Sequence, residues 1–302
     1  MSKNVLITGA SGLVGSRLTS ILQERGYQVS SLSRSKKSKN AVKSYTWDIS
    51  QRFIEEGALE NTNIVVHLAG AGVADKRWSK SRKREILTSR KESTALLYQE
   101  LKSKGQHCHT FVSASAIGYY GWDTKDQWVD EQSAMGAGFL AEVTGEWEEK
   151  ISKLAELNLR VVTLRIGVVL SVLGGALPKI AQSVKLNAGA PLGNGRQYMS
   201  WIHMDDLCEM FVKAIEDPRM TGVYNAVAPH PVTNREFTVA LARTLKKPLF
   251  LPPVPAWTLR LMLGEMAQLV LGGNRVSSEK IVSHGYNFKF AEVEPALRSL
   301  LN

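Results

Sequence analysis

The chain has 302 residues, 44% of them apolar and 22% charged, so it can bury a large core, and its composition excludes the disordered and fibrous classes. Its formal charge of +10 gathers in two stretches: Arg34, Lys36, Lys37, Lys39 and Lys43, then Lys76, Arg77, Lys80, Arg82, Lys83 and Arg84. Such runs can be solvated surface, a funnel for a phosphorylated cofactor or acidic substrate, or a nucleic-acid footprint; no interleaved aromatics or helix-turn-helix pattern supports the last.

The chain opens on Val5-Leu-Ile-Thr-Gly-Ala-Ser-Gly-Leu-Val-Gly15, an apolar run directly before three glycines. This is the written form of a dinucleotide-binding strand, turn and helix. Gly9 permits the turn, Gly12 lets the backbone approach a pyrophosphate, and Gly15 lets the helix pack on the sheet. The N–H groups around Ser11, Leu13 and Val14 then face the anion. Further strands are predicted at 28–33, 44–47, 64–68, 110–115, 160–165 and 222–227, and helices at 14–25, 82–103 and 145–157. Alternation of this kind predicts an α/β fold, a Rossmann doubly wound parallel sheet with its crevice at the carboxyl ends of the strands. After Arg165 the pattern loosens into glycine- and proline-broken pieces, a smaller substrate-side lobe. The prolines at 248, 252, 253 and 255 mark a linker, dividing a domain of residues 1–247 from a helical C-terminal appendage of residues 248–302. The apolar stretch from Trp257 to Leu271 lacks the basic face of an interfacial helix, so it is expected to pack on the main domain or a second subunit.

No run of about 18 uncharged apolar residues occurs, and no signal-like segment precedes the first strand, so a cytoplasmic protein without a membrane partner is expected. Cys108 and Cys208 have no His or Cys at ligand spacing, which predicts neither a metal site nor a disulfide.

Preference between the two nicotinamide dinucleotides is normally written at the end of the second strand. Here that strand ends Ser31-Leu-Ser33-Arg34, and no Asp or Glu occurs between Gly26 and Trp47. A 2′-phosphate would find partners there and a bare diol would find no acceptor. NADP(H) is therefore the expected cofactor, with Ser33 and Arg34 as phosphate ligands. Asp48, after the third strand, is placed either to bond an adenine amino group or to cap a helix.

With the glycine turn, His67-Leu-Ala-Gly-Ala71, Ser113-Ala-Ser115 before Tyr120-Gly121, and Trp201-Ile-His203-Met-Asp205-Asp206 in this order, the chain resembles the extended short-chain dehydrogenase/reductases. More narrowly it resembles their atypical "epimerase family", the cell-division-inhibitor-like proteins. Leu164-Arg-Ile-Gly-Val-Val-Leu170, Gly174-Gly175, Pro191-Leu-Gly-Asn-Gly195, Arg275-Val276 and Gly285-Tyr286 carry the same likeness. The resemblance implies that Leu68, Ala69 and Gly70 lie under the nicotinamide half, that Glu85 and Arg90 line the cofactor from the following helix, and that Ser113 and Val168 adjoin it.

One departure matters. The superfamily's dehydrogenases use a Tyr and a Lys four residues later on one helix face, the Lys lowering the phenol pKa so that Tyr can exchange a proton. In this chain that spacing occurs only at Tyr98 and Lys102, ahead of the Ser113-Ala-Ser115 strand and at the back of the expected sheet. The matching places hold Phe139 and Val143. Tyr120, Ser115 and His203 are the candidate replacements. Two functions follow from this: an NADP-dependent oxidoreductase or epimerase acting on a small polar, sugar-like substrate, or a non-catalytic NADP-binding redox sensor or scaffold.

Overall fold

A computed structural model describes residues 3–35 and 42–301. Lys36, Lys37 and Lys39 of the first basic run lie outside the described residues. Eight strands form the main sheet: β1 (Asn4–Thr8), β2 (Gln28–Ser33), β3 (Lys43–Asp48), β4 (Phe53–Ile54), β5 (Ile64–His67), β6 (Thr110–Ala116), β7 (Arg160–Ile166) and β8 (Gly222–Ala226). Their spatial order is β8-β7-β6-β5-β1-β2-β3-β4. Every neighbouring pair is parallel except β3 with β4. The chain builds outward from β1 through β2 and β3, then returns to start again at β5. The strand direction of growth therefore reverses between β1 and β5, and a crevice opens at their carboxyl ends.

The strands read as unbroken apolar runs because both faces of a parallel sheet are covered by helices. Val5, Leu6, Ile7, Val65, Val66, Phe111, Val112, Val162 and Leu164 are all fully buried. Helix α1 (Leu13–Glu24) packs beside α5 (Met204–Glu216), and α2 (Lys80–Lys104) beside α3 (Phe139–Ser152). Ser79 caps α2, its hydroxyl accepting from the Arg82 N–H at 3.2 Å. Helix α3 begins six residues before the position read from the sequence, where Gly145 suggested a boundary. The glycine lies inside the helix because Met135 packs its sulfur into the space a side chain there would need. A short 3-10 turn, Lys153–Leu157, completes the predicted segment.

A second core joins α4 (Leu177–Lys185), α6 (Asn234–Thr244) and α8 (Val293–Leu301) around Trp201, Phe237, Leu241 and Leu297. The C-terminal region is stitched to the rest of the molecule by polar contacts. The buried Asp206 carboxylate accepts from the Lys289 N–H (2.8 Å), the Phe290 N–H (3.0 Å) and the Tyr286 hydroxyl (3.1 Å). Two motifs some eighty positions apart are thus one structural unit. Asn274 donates its amide to the carbonyls of Ile117 and Gly121, and Arg275–Val276 pairs with Trp128–Val129. Helix α7 (Ala256–Leu263) buries Leu259 against the body, while Trp257, Leu261 and Met262 stay largely exposed.

Among the described residues no helix is long and apolar enough to cross a membrane, and no cluster of metal-ligating side chains occurs. Both cysteines are free, and burial pushes the Cys108 thiol up to about 11 and that of Cys208 up to about 12.

Candidate functional site: a nucleotide cleft at the sheet's switch point

The carboxyl ends of β1, β2 and β5 open into a cleft of about 1320 Å³. Its floor is the turn Gly9-Ala10-Ser11-Gly12, one wall is Leu68 to Gly72, and the facing wall is α2 through Arg82, Glu85, Thr88, Ser89 and Glu92. Gly9 holds φ +74°, which disfavours any side chain, and a Cβ there would also crowd the Ala69 nitrogen and the Leu68 carbonyl carbon at 3.1 Å. The Gly12 N–H donates to the Gly9 carbonyl at 3.0 Å and closes the turn. A Cβ on Gly15 would overlap that same carbonyl oxygen and lie 2.8 Å from Ala10 Cα, so this glycine sets how closely α1 approaches the strand end. Helix α1 has no side-chain cap and no acidic residue in its first turn, which leaves its positive end open to an anion.

The wall from Leu68 to Gly72 is held by buried polar groups. The Thr8 hydroxyl accepts from the N–H of Leu68 and of Ala69, both at 3.2 Å, and meets His67 Nδ1 at 2.7 Å. His67 Nε2 lies 3.2 Å from the hydroxyls of Ser93 and Thr94, which themselves donate to the Arg90 carbonyl. That pattern assigns the ring proton to Nε2, with Thr8 donating to Nδ1. Burial, with Arg90 nearby, pushes the His67 pKa down to about 3, so the ring is a neutral brace. Arg90 itself is not in the cleft lining. It donates to the Ala71 carbonyl (2.9 Å) and the Ile86 carbonyl (3.0 Å) and packs over Trp147, supporting the wall from behind. Glu85 does line the cleft, paired with Arg82 at 2.7 Å. Arg82, read from the sequence only as part of a charge run, also grips the Gly72 carbonyl.

At the β2 end of the cleft, Ser31, Ser33 and the following Arg34 line it, with Ser44, Trp47, Ile49 and Ser50. Arg52, at the turn before β4, adds a second guanidinium that sequence reasoning missed. Its neighbour β4 is two residues long and pairs antiparallel, too short for any periodicity to reveal. The cleft's carboxylates, Asp75, Glu85 and Glu92, all belong to the α2 side. Asp48 is turned away from the cleft to cap a turn: Oδ1 accepts from the Ser50 N–H (2.8 Å), the Ser50 hydroxyl (2.6 Å) and the Gln51 N–H (3.1 Å), which lowers its pKa. Of the two roles read from the sequence, the adenine amino group or a helix cap, Asp48 takes a third here, capping a turn.

The three candidate proton donors are all engaged elsewhere. Tyr120 is buried, donates to Asn225 Oδ1 at 2.7 Å and accepts from Arg165 Nη1 at 3.0 Å; burial pushes its pKa up to about 12. Ser115 donates to Glu148 at 2.5 Å, and Glu148 holds Arg165 through two bonds of 2.9 and 2.8 Å. The Arg165 guanidinium lies flat over Tyr119, 3.4 Å from the ring centroid. His203 sits under α8, its Nδ1 accepting from the Asp205 N–H as the cap of α5, its ring against Phe290 and its Nε2 3.3 Å from the Ser299 hydroxyl. Burial lowers its pKa. Ser113 is fully buried and bonded to the Ala114 carbonyl, away from the cleft. Val168 pairs with Trp201 in a short parallel ladder and packs on the second core, outside the cleft lining.

Tyr98 is occupied by Glu156 at 3.1 Å. Where the Tyr–Lys couple would stand on α3, Val143 is buried and Phe139 packs edge-on against Trp78, ring centroids 5.0 Å apart. Lys83 lies over the Phe139 ring at 5.2 Å and pairs with Glu265 of the C-terminal region.

A parallel sheet with a glycine turn and an uncapped helix at its switch point defines a doubly wound, dinucleotide-binding α/β protein. Comparison with known proteins narrows the class. The model of the NAD dependent epimerase/dehydratase family matches residues 5–227, and that of a domain of unknown function, DUF1731, matches residues 254–300. The chain is 31% identical to the epimerase family protein YfhF of Bacillus subtilis over 99% of this chain and 98% of that one. It is 36% identical to the chloroplastic SDR39U1 homolog of Arabidopsis thaliana over 98% and 86%. The crystal structure of human epimerase family protein SDR39U1 with NADPH superposes with a TM-score of 0.90 at 30% identity, covering 98% of each chain. MoeE5 in complex with UDP-glucose and NAD, at 19% identity and a TM-score of 0.77, shares the fold. This chain belongs to the NAD-dependent epimerase/dehydratase family, as an atypical short-chain dehydrogenase/reductase.

Proposed function

We propose that the chain binds NADP(H) in the cleft at the switch point and is an oxidoreductase or epimerase of atypical type, acting on a small polar substrate without a Tyr–Lys couple. The observation that carries the cofactor assignment is the pair of guanidiniums, Arg34 and Arg52, at the adenosine end, with Ser33 at the end of β2 and every cleft carboxylate on the α2 side. A 2′-phosphate dianion gains charge-assisted hydrogen bonds there, whereas a ribose diol finds no acceptor carboxylate. The human relative crystallised with NADPH supports the same assignment. Ser11, Gly12, Leu13 and Val14 would receive the pyrophosphate, and Leu68 to Gly70 would underlie the nicotinamide half. When bound, the cofactor supplies hydride transfer; the chain supplies orientation and an apolar wall at Phe139 and Trp78.

A second reading, a redox sensor or scaffold that holds the cofactor without turnover, is favoured by the engagement of Tyr120, Ser115 and His203 in buried bonds. Calorimetry with NADPH and NADH on the native chain and on Arg34→Glu tests the assignment. NADPH is expected to bind at least about tenfold more tightly than NADH, and the substitution to abolish that preference. Equal affinity for both dinucleotides would refute it. Consumption of NADPH with a panel of small carbonyl and sugar substrates then separates the readings: turnover that survives Tyr120→Phe fits the first, and tight binding without turnover fits the second.

A further inference from the structure

A second, smaller cavity of about 420 Å³ is lined by Trp122, Arg260, Gly264, Glu265, Ala267, Gln268 and Leu271. Its size lies at the small end of the range for small-molecule sites. One side is the loop that follows Tyr120 and Gly121, and the other is the segment after α7.

The charges around this cavity do not balance. Glu265 is already paired with Lys83. Arg260 lines the cavity, and Arg77 reaches toward Gly264, where its Nη2 would be 2.8 Å from a Cβ on that residue. Gly264 has φ +61° and no side chain, and both properties are needed for the chain to bend there and admit the guanidinium. Neither the Arg77 nor the Arg260 side chain is paired with a carboxylate among the described residues. One guanidinium, Arg260, therefore lines the cavity and a second, Arg77, lies beside Gly264, while Trp122, Ala267 and Leu271 supply its apolar surface and Gln268 a neutral polar one.

Lys83 ties the cavity to α3, with its ammonium over Phe139, where the resemblance places the absent Tyr, and bonded to Glu265 of the cavity lining. The helix that carries Lys83 is the one whose Arg82, Glu85, Thr88, Ser89 and Glu92 wall the cofactor cleft.

We propose that this cavity seats the substrate and that the substrate is a small organic anion, its carboxylate or phosphate facing Arg260 and Arg77 and its apolar body against Trp122 and Leu271. Fork-shaped guanidiniums suit either oxyanion. The inference rests on the NADP(H) reading for its role as a substrate site, and the test keeps the two apart.

The probes are benzoate, phenyl phosphate and, as the neutral comparison, benzyl alcohol, titrated into the NADPH-loaded chain and followed by ligand-observed nuclear magnetic resonance. Both anions are expected to bind and benzyl alcohol to bind at least about tenfold more weakly; a preference between the anions names the oxyanion. Arg260→Gln is expected to weaken the anions by about tenfold or more, and raised salt to weaken them further, while the calorimetric affinity for NADPH stays as in the native chain. Gly264→Ala, which displaces Arg77 without removing a charge, is expected to weaken the anions as well. Equal binding of benzyl alcohol and the anions, or anion binding unchanged in Arg260→Gln, would overturn the proposal. Loss of NADPH binding by the native chain would instead overturn the cofactor reading.

Discussion

Gly12 and Gly15 stand three residues apart, at the turn and in the first turn of α1, and the structure predicts different consequences for placing a methyl group on each. A Cβ on Gly15 would occupy the space of the Gly9 carbonyl oxygen and come within 2.8 Å of Ala10 Cα and 2.9 Å of the Gly9 carbonyl carbon. All three are backbone atoms of a closed turn, so none can rotate aside; the helix must lift from the strand end. Overpacking of this kind costs about 1–3 kcal/mol. For a chain of this length that corresponds to a fall in melting temperature of roughly 2–5 °C. A Cβ on Gly12 would meet only the Gly9 oxygen, at 3.2 Å, which a shift of a few tenths of an ångström relieves. Its methyl group would instead project where the pyrophosphate must approach. Gly12→Ala is therefore expected to melt within about 1 °C of the native chain yet bind NADPH about tenfold or more weakly. Gly15→Ala is expected to lose both stability and affinity. Differential scanning fluorimetry and calorimetry on the two variants check this. If Gly15→Ala melts like the native chain, or Gly12→Ala binds NADPH unchanged, the roles assigned to the two glycines are wrong.

Three further outcomes follow from the buried polar groups. Glu148→Ala strands the Arg165 guanidinium, 4% exposed, beside Tyr120, and is expected to destabilise the fold by about 3–5 kcal/mol in urea titration; a loss below about 1 kcal/mol would show that the pair is not needed. Asp206→Ala orphans the N–H groups of Lys289 and Phe290, while the Tyr286 hydroxyl keeps the residue 206 carbonyl at 2.9 Å, so a loss of about 2–4 kcal/mol and faster amide hydrogen exchange in residues 285–290 are expected. Exchange there at the native rate would argue against this anchor. His67 has its pKa lowered from 6.5 to about 3 in the fold, so the unfolded chain binds the extra proton first as pH falls. Its contribution is therefore full above the unfolded value and is lost progressively toward pH 3, about 1.4 kcal/mol between roughly pH 7.5 and 5.5, with His203 acting in the same direction. An imidazole resonance of His67 that titrates near pH 6 would contradict this.

Three of the expected site residues show what a local pattern leaves open. Tyr120, Ser115 and His203 were singled out by residue type and by their place near strand ends, and each does lie near such an end. What a sequence does not carry is the set of partners that arrive from distant segments: Asn225 and Arg165 at Tyr120, Glu148 at Ser115, and Phe290 and Ser299 at His203. Arg90, expected from the resemblance to line the cofactor, lies outside the cleft lining and supports the wall from behind, through Ala71. Arg52 gave no signal, being an isolated charge at a turn before a two-residue strand.

The amino-acid sequence by itself determined the sheet and the cofactor turn, because these rest on local rules. Apolar runs form buried parallel strands, glycines permit a turn that no other residue fits, and the missing acid after β2 is visible in a few consecutive letters. The tertiary structure alone decided which polar side chains remain free to act. Hydrogen-bond satisfaction in a buried setting depends on atoms brought together from far along the chain, and only the packed fold shows Tyr120 bonded on both sides while Arg77 reaches the Gly264 that lines Arg260's cavity.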